Sequence, residues 1–342
     1  MSDSSPKSRF LKNSLQFLVS FGIAFGIFWY LYGGNLPATI QRLSEVDYRW
    51  LSLSILLGIW GHWLRSYRWK LLLIPTGHNP SNWRALMALF LGYLANLALP
   101  RLGEVTRCLS LRKTDKIPVT ISFGTVVTER LLDVLCLAVI TLAAIFIEFE
   151  KLSEFFGKLF KEKLSGIEHL IVPLLLGSLG LMVLLVLIWW RFKDRIRKTF
   201  WWNKLRSGLR ELWNGLSSIS RVKQRWQLWG STLLIWMVYF FMSYVVFFAL
   251  DATSGLNWQA ALSMLVMGGL AMSAPVQGGL GAYHYLVSAL LIYYGVARTD
   301  GLFFAFVLHT SQTLLVIISG LVSLVLVFGI KKSAVKSPSS PS

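Results

Sequence analysis

The residues most able to do chemistry in this chain lie where they are least expected. Thr128-Glu129-Arg130-Leu131-Leu132-Asp133 falls inside the long apolar run Val119–Ile147. Glu129 and Asp133 are four apart and Arg130 and Asp133 three apart, so a helix presents all three on one side. Glu129 is eleven residues past Pro118, which at 1.5 Å per residue is about 16 Å, near the middle of a hydrocarbon core about 30 Å thick. A charge at that depth costs about 2.5–3.5 kcal/mol even on lenient insertion scales, so these groups must face partners or water. Just upstream, Pro100-Arg101-Leu102-Gly103-Glu104-Val105-Thr106-Arg107 breaks another apolar run. A helix restarting at Gly103 would offer free N–H groups to an anion. Arg101 and Arg107 add forked donors suited to phosphate, and Glu104 and Glu129 would hold or exchange those guanidiniums. The group is also readable as a buried salt-bridge latch, and the two readings are compatible.

A second break, Pro275-Val276-Gln277-Gly278-Gly279-Leu280-Gly281, carries no charge; with Gly278, Gly279 and Gly281 its backbone could approach a ligand closely. The run near the C-terminus contains His309-Thr310-Ser311-Gln312-Thr313. His309 and Gln312 are candidates, beside Glu129, Arg130 and Asp133, for an intramembrane polar cluster or proton relay; His309 reads equally well as a packing residue. The five histidines show no metal-ligand spacing, the two cysteines form no CxxC, and no phosphate-binding loop or nucleotide fingerprint occurs. No metal, cofactor or local Ser-His-Asp arrangement is therefore expected.

The elements that must position these groups are membrane helices. The 342 residues are 55% hydrophobic and only 15% charged, too few charges for a soluble domain of this length. Apolar stretches of spanning length occur at Leu15–Tyr32, Leu51–Ile74, Val119–Ile147, Leu170–Trp190, Leu228–Leu250 and Leu302–Ile330. Two more, Ala85–Leu99 and Ala260–Tyr294, contain or adjoin the breaks. If all eight crossed fully, Arg101, Arg107, Arg112, Lys113 and Lys116 would face outward, against the positive-inside rule. If those two dip in and return, 26 Lys/Arg fall inside against 7 outside, with Arg130 in a span. That tally assigns Arg65 and Arg68 to the inner side.

The expected architecture is an all-α polytopic membrane protein of two inverted repeats, each of three spanning helices plus a re-entrant helical hairpin: six full spans and two hairpins from eight apolar segments. Residues 1–14 form a cytoplasmic N-terminus and 15–147 the first repeat, with its hairpin at 85–117. Residues 148–169 are an external amphipathic loop, and 170–330 the second repeat, with a basic amphipathic segment at 191–226 and a hairpin at 259–294. The tail 331–342 is expected to be disordered and, like the N-terminus, cytoplasmic. Trp29, Trp50, Trp83, Trp189, Trp190, Trp229 and Trp258 sit near span ends, as interfacial anchors do. The net charge of +18 follows this topology rather than one soluble face, which argues against nucleic acid.

The Pro100–Arg107, Glu129–Asp133 and Pro275–Gly281 motifs together resemble the lysylphosphatidylglycerol synthase transmembrane-region family, the flippase-like or YbhN-type integral membrane proteins, over roughly Leu15 to Ile330. The resemblance implies a protein of the bacterial or archaeal cytoplasmic membrane that binds or moves lipids. Multidomain relatives add an aminoacyltransferase domain; none is expected here, and with it no enzymatic role. Many relatives carry an acidic residue after the second glycine motif, where this chain has Tyr283-His284. The leading expectation is a flippase or transporter for an anionic or polyprenyl-phosphate lipid, its headgroup bound by Arg101, Gly103, Glu104, Arg107, Gly278, Gly279 and Gly281. Two rivals are an intramembrane lipid-linked transferase using Glu129 or Asp133 as base, and a non-transporting accessory protein. The expected partners are a membrane lipid and either a second copy of the chain or an envelope-biosynthesis enzyme.

Overall fold

A computed structural model describes residues 36–164 and 217–329 except Pro275, with isolated positions at 22, 26, 29, 33, 210 and 213. The expected spans 15–32 and 170–190, most of the basic segment 191–226 and the tail lie outside the described residues. The longer helices, in chain order, are α1 (Tyr48–Leu73), α2 (Asn82–Ala98), α3 (Leu102–Asp115), α4 (Val119–Ile147), α5 (Phe149–Leu164), α6 (Arg225–Tyr244), α7 (Trp258–Ser273), α8 (Ala282–Ile292) and α9 (Arg298–Gly329). No strand occurs among the described residues.

Local sequence explains most boundaries. The Asp47, Ser81 and Asn257 side chains accept backbone N–H bonds from Arg49, Arg84 and Ala260 at the starts of α1, α2 and α7, satisfying donors that a helix start leaves free. α1 runs into a short 3₁₀ turn containing Pro75 and closes at Gly77, which is left-handed. α2 ends on extended Leu99, the residue before Pro100. α3 ends at left-handed Lys116, and Pro118 precedes α4.

Among the described residues, three helical segments are long and apolar enough to cross a membrane: Val119–Ile147, Arg225–Ala249 and Arg298–Gly329. α4 exposes Leu131, Val134, Leu135, Val139, Leu142 and Phe146, and α9 exposes Ile318, Val322, Val325 and Phe328. Such continuous apolar exteriors suit lipid, not water. Trp50, Trp83, Trp229 and Trp258 are exposed near helix ends, as expected of anchors. α1 has the length to span but carries Arg65, Arg68 and Lys70 in its C-terminal half. α5 is an amphipathic helix within the segment 148–169: Leu152 and Phe155 are buried, with Phe155 edge-on to Tyr293, while the Glu154–Lys158 pair is exposed.

The two halves interlock. α1 packs along α6 through a stripe of small residues. Ser54 Oγ donates to Met242 O at 2.8 Å, and a Cβ on Gly61 would come 3.1 Å from Val238. Small residues at such crossings let helix backbones approach closely in a membrane. α2 packs on α9, where Gly320 lies against Leu94 and the Phe90 carbonyl, and α4 packs on α7, where Gly269 lies against Leu137. Within each half, α2 folds back on α3 and α7 on α8. The largest core cluster joins the α6–α9 side to Val46, Leu51 and Ala144. Beside it, Arg42 bridges to Asp300 at 2.9 Å and lies over the Phe303 ring.

Candidate functional site

The first break forms a tight helical turn. A Cβ on Gly103 would run into the Gly92 carbonyl and come 2.7 Å from Asn96, so only glycine permits this α2–α3 crossing. Gly103 N–H donates to Asn96 Oδ1 at 2.6 Å. The amide expected to be free for an anion is thus already capped by a neighbouring side chain. Arg101 takes a left-handed conformation (φ 66°) at the exposed tip and makes no ion pair among the described residues.

α3 then carries Arg107 inward, where it is buried and its guanidinium lies 4.7 Å over the Trp69 ring. Arg107 Nη1 is 2.9 Å from Glu129 Oε2. Glu129, on α4, is fully buried. Its other oxygen meets two arginines of α1: Arg65 Nη2 at 2.8 Å and Arg68 Nη2 at 3.4 Å. Asp133, one helical turn on, completes the ring, with Oδ1 2.6 Å from Arg68 Nη2 and Oδ2 3.2 Å from Arg65 Nη2. Arg65 Nη1 also donates to Tyr239 Oη on α6, at 3.2 Å. α1 and α3 therefore converge on the Glu129 carboxylate of α4, and α6 joins the ring through Tyr239 on Arg65.

Arg130 turns away from this ring to pair with Glu104 at 2.9 Å in a half-exposed setting, tying α3 to α4. The expected Glu129–Arg130–Asp133 group thus divides: Glu129 and Asp133 enter the ring and Arg130 does not.

Arg65 and Arg68 were assigned by sequence to the inner-side basic tally, whereas the fold buries both within α1. Their signal was present. Three apart, they share a helix side, and two carboxylates at mid-membrane depth required cationic partners beyond Arg107.

The ring is not saturated. Arg65 Nε, Arg68 Nε and Nη1, and Arg107 Nε and Nη2 are buried without a hydrogen-bond partner among the described residues. Leaving a buried donor unmade costs about 1–3 kcal/mol, more when it is charged.

The second break curls through Gly278, Gly279 and Gly281, all at positive φ. Its polar groups are also engaged internally. Gly281 N–H donates to His284 Nδ1 at 3.3 Å, Gly279 N–H to Val276 O at 3.4 Å, and the Gly278 carbonyl accepts from His309 Nε2 at 2.8 Å. Leu97 of α2 lies against Gly278, so the two hairpin tips touch. Gln312 points elsewhere, over Gly58, donating to Ser54 Oγ at 3.3 Å. His309 and Gln312 thus make their described hydrogen bonds outside the arginine–carboxylate ring. No group of three or more metal-ligating residues occurs among the described residues.

Comparison with known proteins identifies the family. The family model of the lysylphosphatidylglycerol synthase TM region matches residues 15–320. The chain belongs to that family. It is an integral membrane protein, and the hairpin, α4 and second-break motifs all lie within the matched range. The chain is also 27% identical over 130 residues to the UPF0104 membrane protein MJ1595 of Methanocaldococcus jannaschii, a match spanning 37% of this chain and 38% of that relative. No solved structure matches.

Proposed function

We propose that this protein is a non-enzymatic lipid flippase or transporter that binds an anionic lipid headgroup beside the two hairpin tips and passes it between leaflets of the cytoplasmic membrane, with both termini cytoplasmic. The observation that carries the reading is the set of buried arginines on α1 and α3, whose guanidiniums outnumber the carboxylates between them and keep unpartnered nitrogens. Intramembrane charges mark transport pathways more often than inert packing, and arginine forks suit phosphate oxygens.

Arg101, exposed at the tip, makes first contact with the headgroup, and Arg107, Arg65 and Arg68 hold it. Glu104 and Glu129 restrain the arginines when lipid is absent. Gly103, Gly278, Gly279 and Gly281 shape the tips, and Arg130 with Glu104 secures α3 to α4. Any proton coupling would use Glu129, Asp133 or His309, with Gln312 beside it.

The helix pairings support two inverted repeats with re-entrant hairpins. α2–α3 has its counterpart in α7–α8, α3–α4 in α8–α9, α1–α2 in α6–α7, and α2–α9 in α7–α4. Broken segments at matching places in both halves are where such transporters bind substrate. The substrate is an anionic or polyprenyl-phosphate lipid, and the partner a second copy of the chain or an envelope-biosynthesis enzyme.

The test is mass spectrometry of lipids retained through mild-detergent purification, for the wild type and for Arg65→Gln with Arg107→Gln. The expected result is enrichment of one phosphate-bearing lipid, lost in the double variant. Identical bulk lipid on two well-folded proteins would contradict the site and leave the ring as a structural latch.

A further inference from the structure

The charge balance of the ring reaches beyond the statement that it binds an anion. Arg65, Arg68 and Arg107 face Glu129 and Asp133, three cations to two anions, so the ring carries an excess of one positive charge among the described residues. The neighbouring Arg130–Glu104 pair is neutral in itself and does not alter that surplus. In a low-dielectric interior an uncompensated charge of either sign is expensive, so the best ligand restores neutrality without overshooting it. A phosphodiester carries a single negative charge. A phosphomonoester carries about −1.5 to −2 near neutral pH and would leave a buried negative excess.

The two carboxylates are not equivalent in setting this number. Glu129 is fully buried and contacts all three arginines, so its loss would release the whole ring. Asp133 sits at the rim, with its side chain 18% exposed, and among the described residues its ion pairs are to Arg65 and Arg68. It can lose its charge and still offer Arg68 a carbonyl oxygen.

We infer that Asp133 is the specificity-determining residue that fixes at one the net charge accepted by the ring, so that the site selects lipids with phosphodiester headgroups over lipids ending in a phosphomonoester. This rests on the headgroup-binding reading above and adds to it a charge rule with a single residue behind it. The same arithmetic predicts what relaxes the rule. Asp133→Asn raises the surplus to two positive charges and favours the dianion, whereas Asp133→Glu keeps the charge and keeps the preference.

The experiment is a native mass-spectrometry competition between phosphatidylglycerol and phosphatidic acid with identical acyl chains, supplied in equal amounts. It is run at mildly alkaline pH, where the monoester is a dianion, on wild type, Asp133→Asn and Asp133→Glu, each first shown to be monodisperse with a cooperative thermal transition. The expected outcome is phosphatidylglycerol favoured about tenfold by wild type and by Asp133→Glu, a difference that one tenfold step in affinity supplies, and a reversed ratio in Asp133→Asn. Equal retention of both lipids by wild type, or a ratio unmoved by Asp133→Asn, would overturn the charge rule while leaving headgroup binding intact. Retention of neither lipid by wild type would overturn both.

Discussion

At the scale of single residues, burial and charge sort the acidic groups into two kinds. Glu129 lies in contact with three guanidiniums and has no exposed surface. Removing one partner of a buried ion pair costs about 3–5 kcal/mol, because the remaining charges lose their compensation. Glu129→Gln is therefore expected to lower the thermal midpoint sharply in detergent. Glu104 pairs with a half-exposed Arg130, and exposed pairs contribute at most about 1 kcal/mol, so Glu104→Gln should shift the midpoint little. Thermal unfolding of the two variants side by side checks this order; equal losses would contradict it. The sequence marks Glu129 and Asp133 clearly, since carboxylates within an apolar run are anomalous on energetic grounds alone. Arg65 and Arg68 carry a weaker signal, because they lie near the end of an apolar run. There they read equally well as the basic flank that ends an ordinary span, and only the fold shows that α1 carries them inward.

At the scale of elements, the first hairpin depends on two glycines meeting back to back. At Gly103 even a methyl group would strike the Gly92 carbonyl, an obstruction of backbone by backbone that no rotamer relieves. Gly103→Val is expected to destabilise the protein by more than about 3 kcal/mol, beyond the usual cost of overpacking. Gly157→Ala in α5, with nothing within 4 Å of the added carbon, should be neutral or slightly stabilising because alanine is the better helix former. Chemical denaturation of both variants measures the contrast. The hairpin breaks were legible from Pro100 and the glycine runs, because those residues constrain backbone wherever they occur. The capping of Gly103 by Asn96 was not. It depends on two helices lying antiparallel at close range, which local sequence does not specify. The same holds at the second break, where His309 reaches Gly278 from a helix 31 residues away in sequence.

At the scale of the whole molecule, the two halves of the chain hold each other where α2 packs on α9, α4 on α7 and α1 on α6. Gly61 sits at the α1–α6 seam under Val238. Gly61→Ile should wedge the halves apart at a cost of about 1–3 kcal/mol and slow lipid movement more than lipid binding, a separation that retained-lipid and translocation measurements on the same preparation would reveal. Membrane class and family were readable from composition and motifs, because hydrophobic length and rare intramembrane charges are properties of the chain itself. How the halves interlock was not, because it lies in contacts between residues far apart in sequence.

The most direct measurement is translocation. Proteoliposomes carrying fluorescent phosphatidylglycerol in both leaflets would be exposed to an impermeant quencher, with and without an imposed proton gradient, for wild type and for Arg65→Gln with Arg107→Gln. The account predicts that wild type delivers inner-leaflet lipid to the quencher under at least one of the two conditions, while the variant, equally folded and equally incorporated, leaves it protected. Protection of the inner leaflet in wild-type vesicles under both conditions, or equal quenching with the variant, would contradict it.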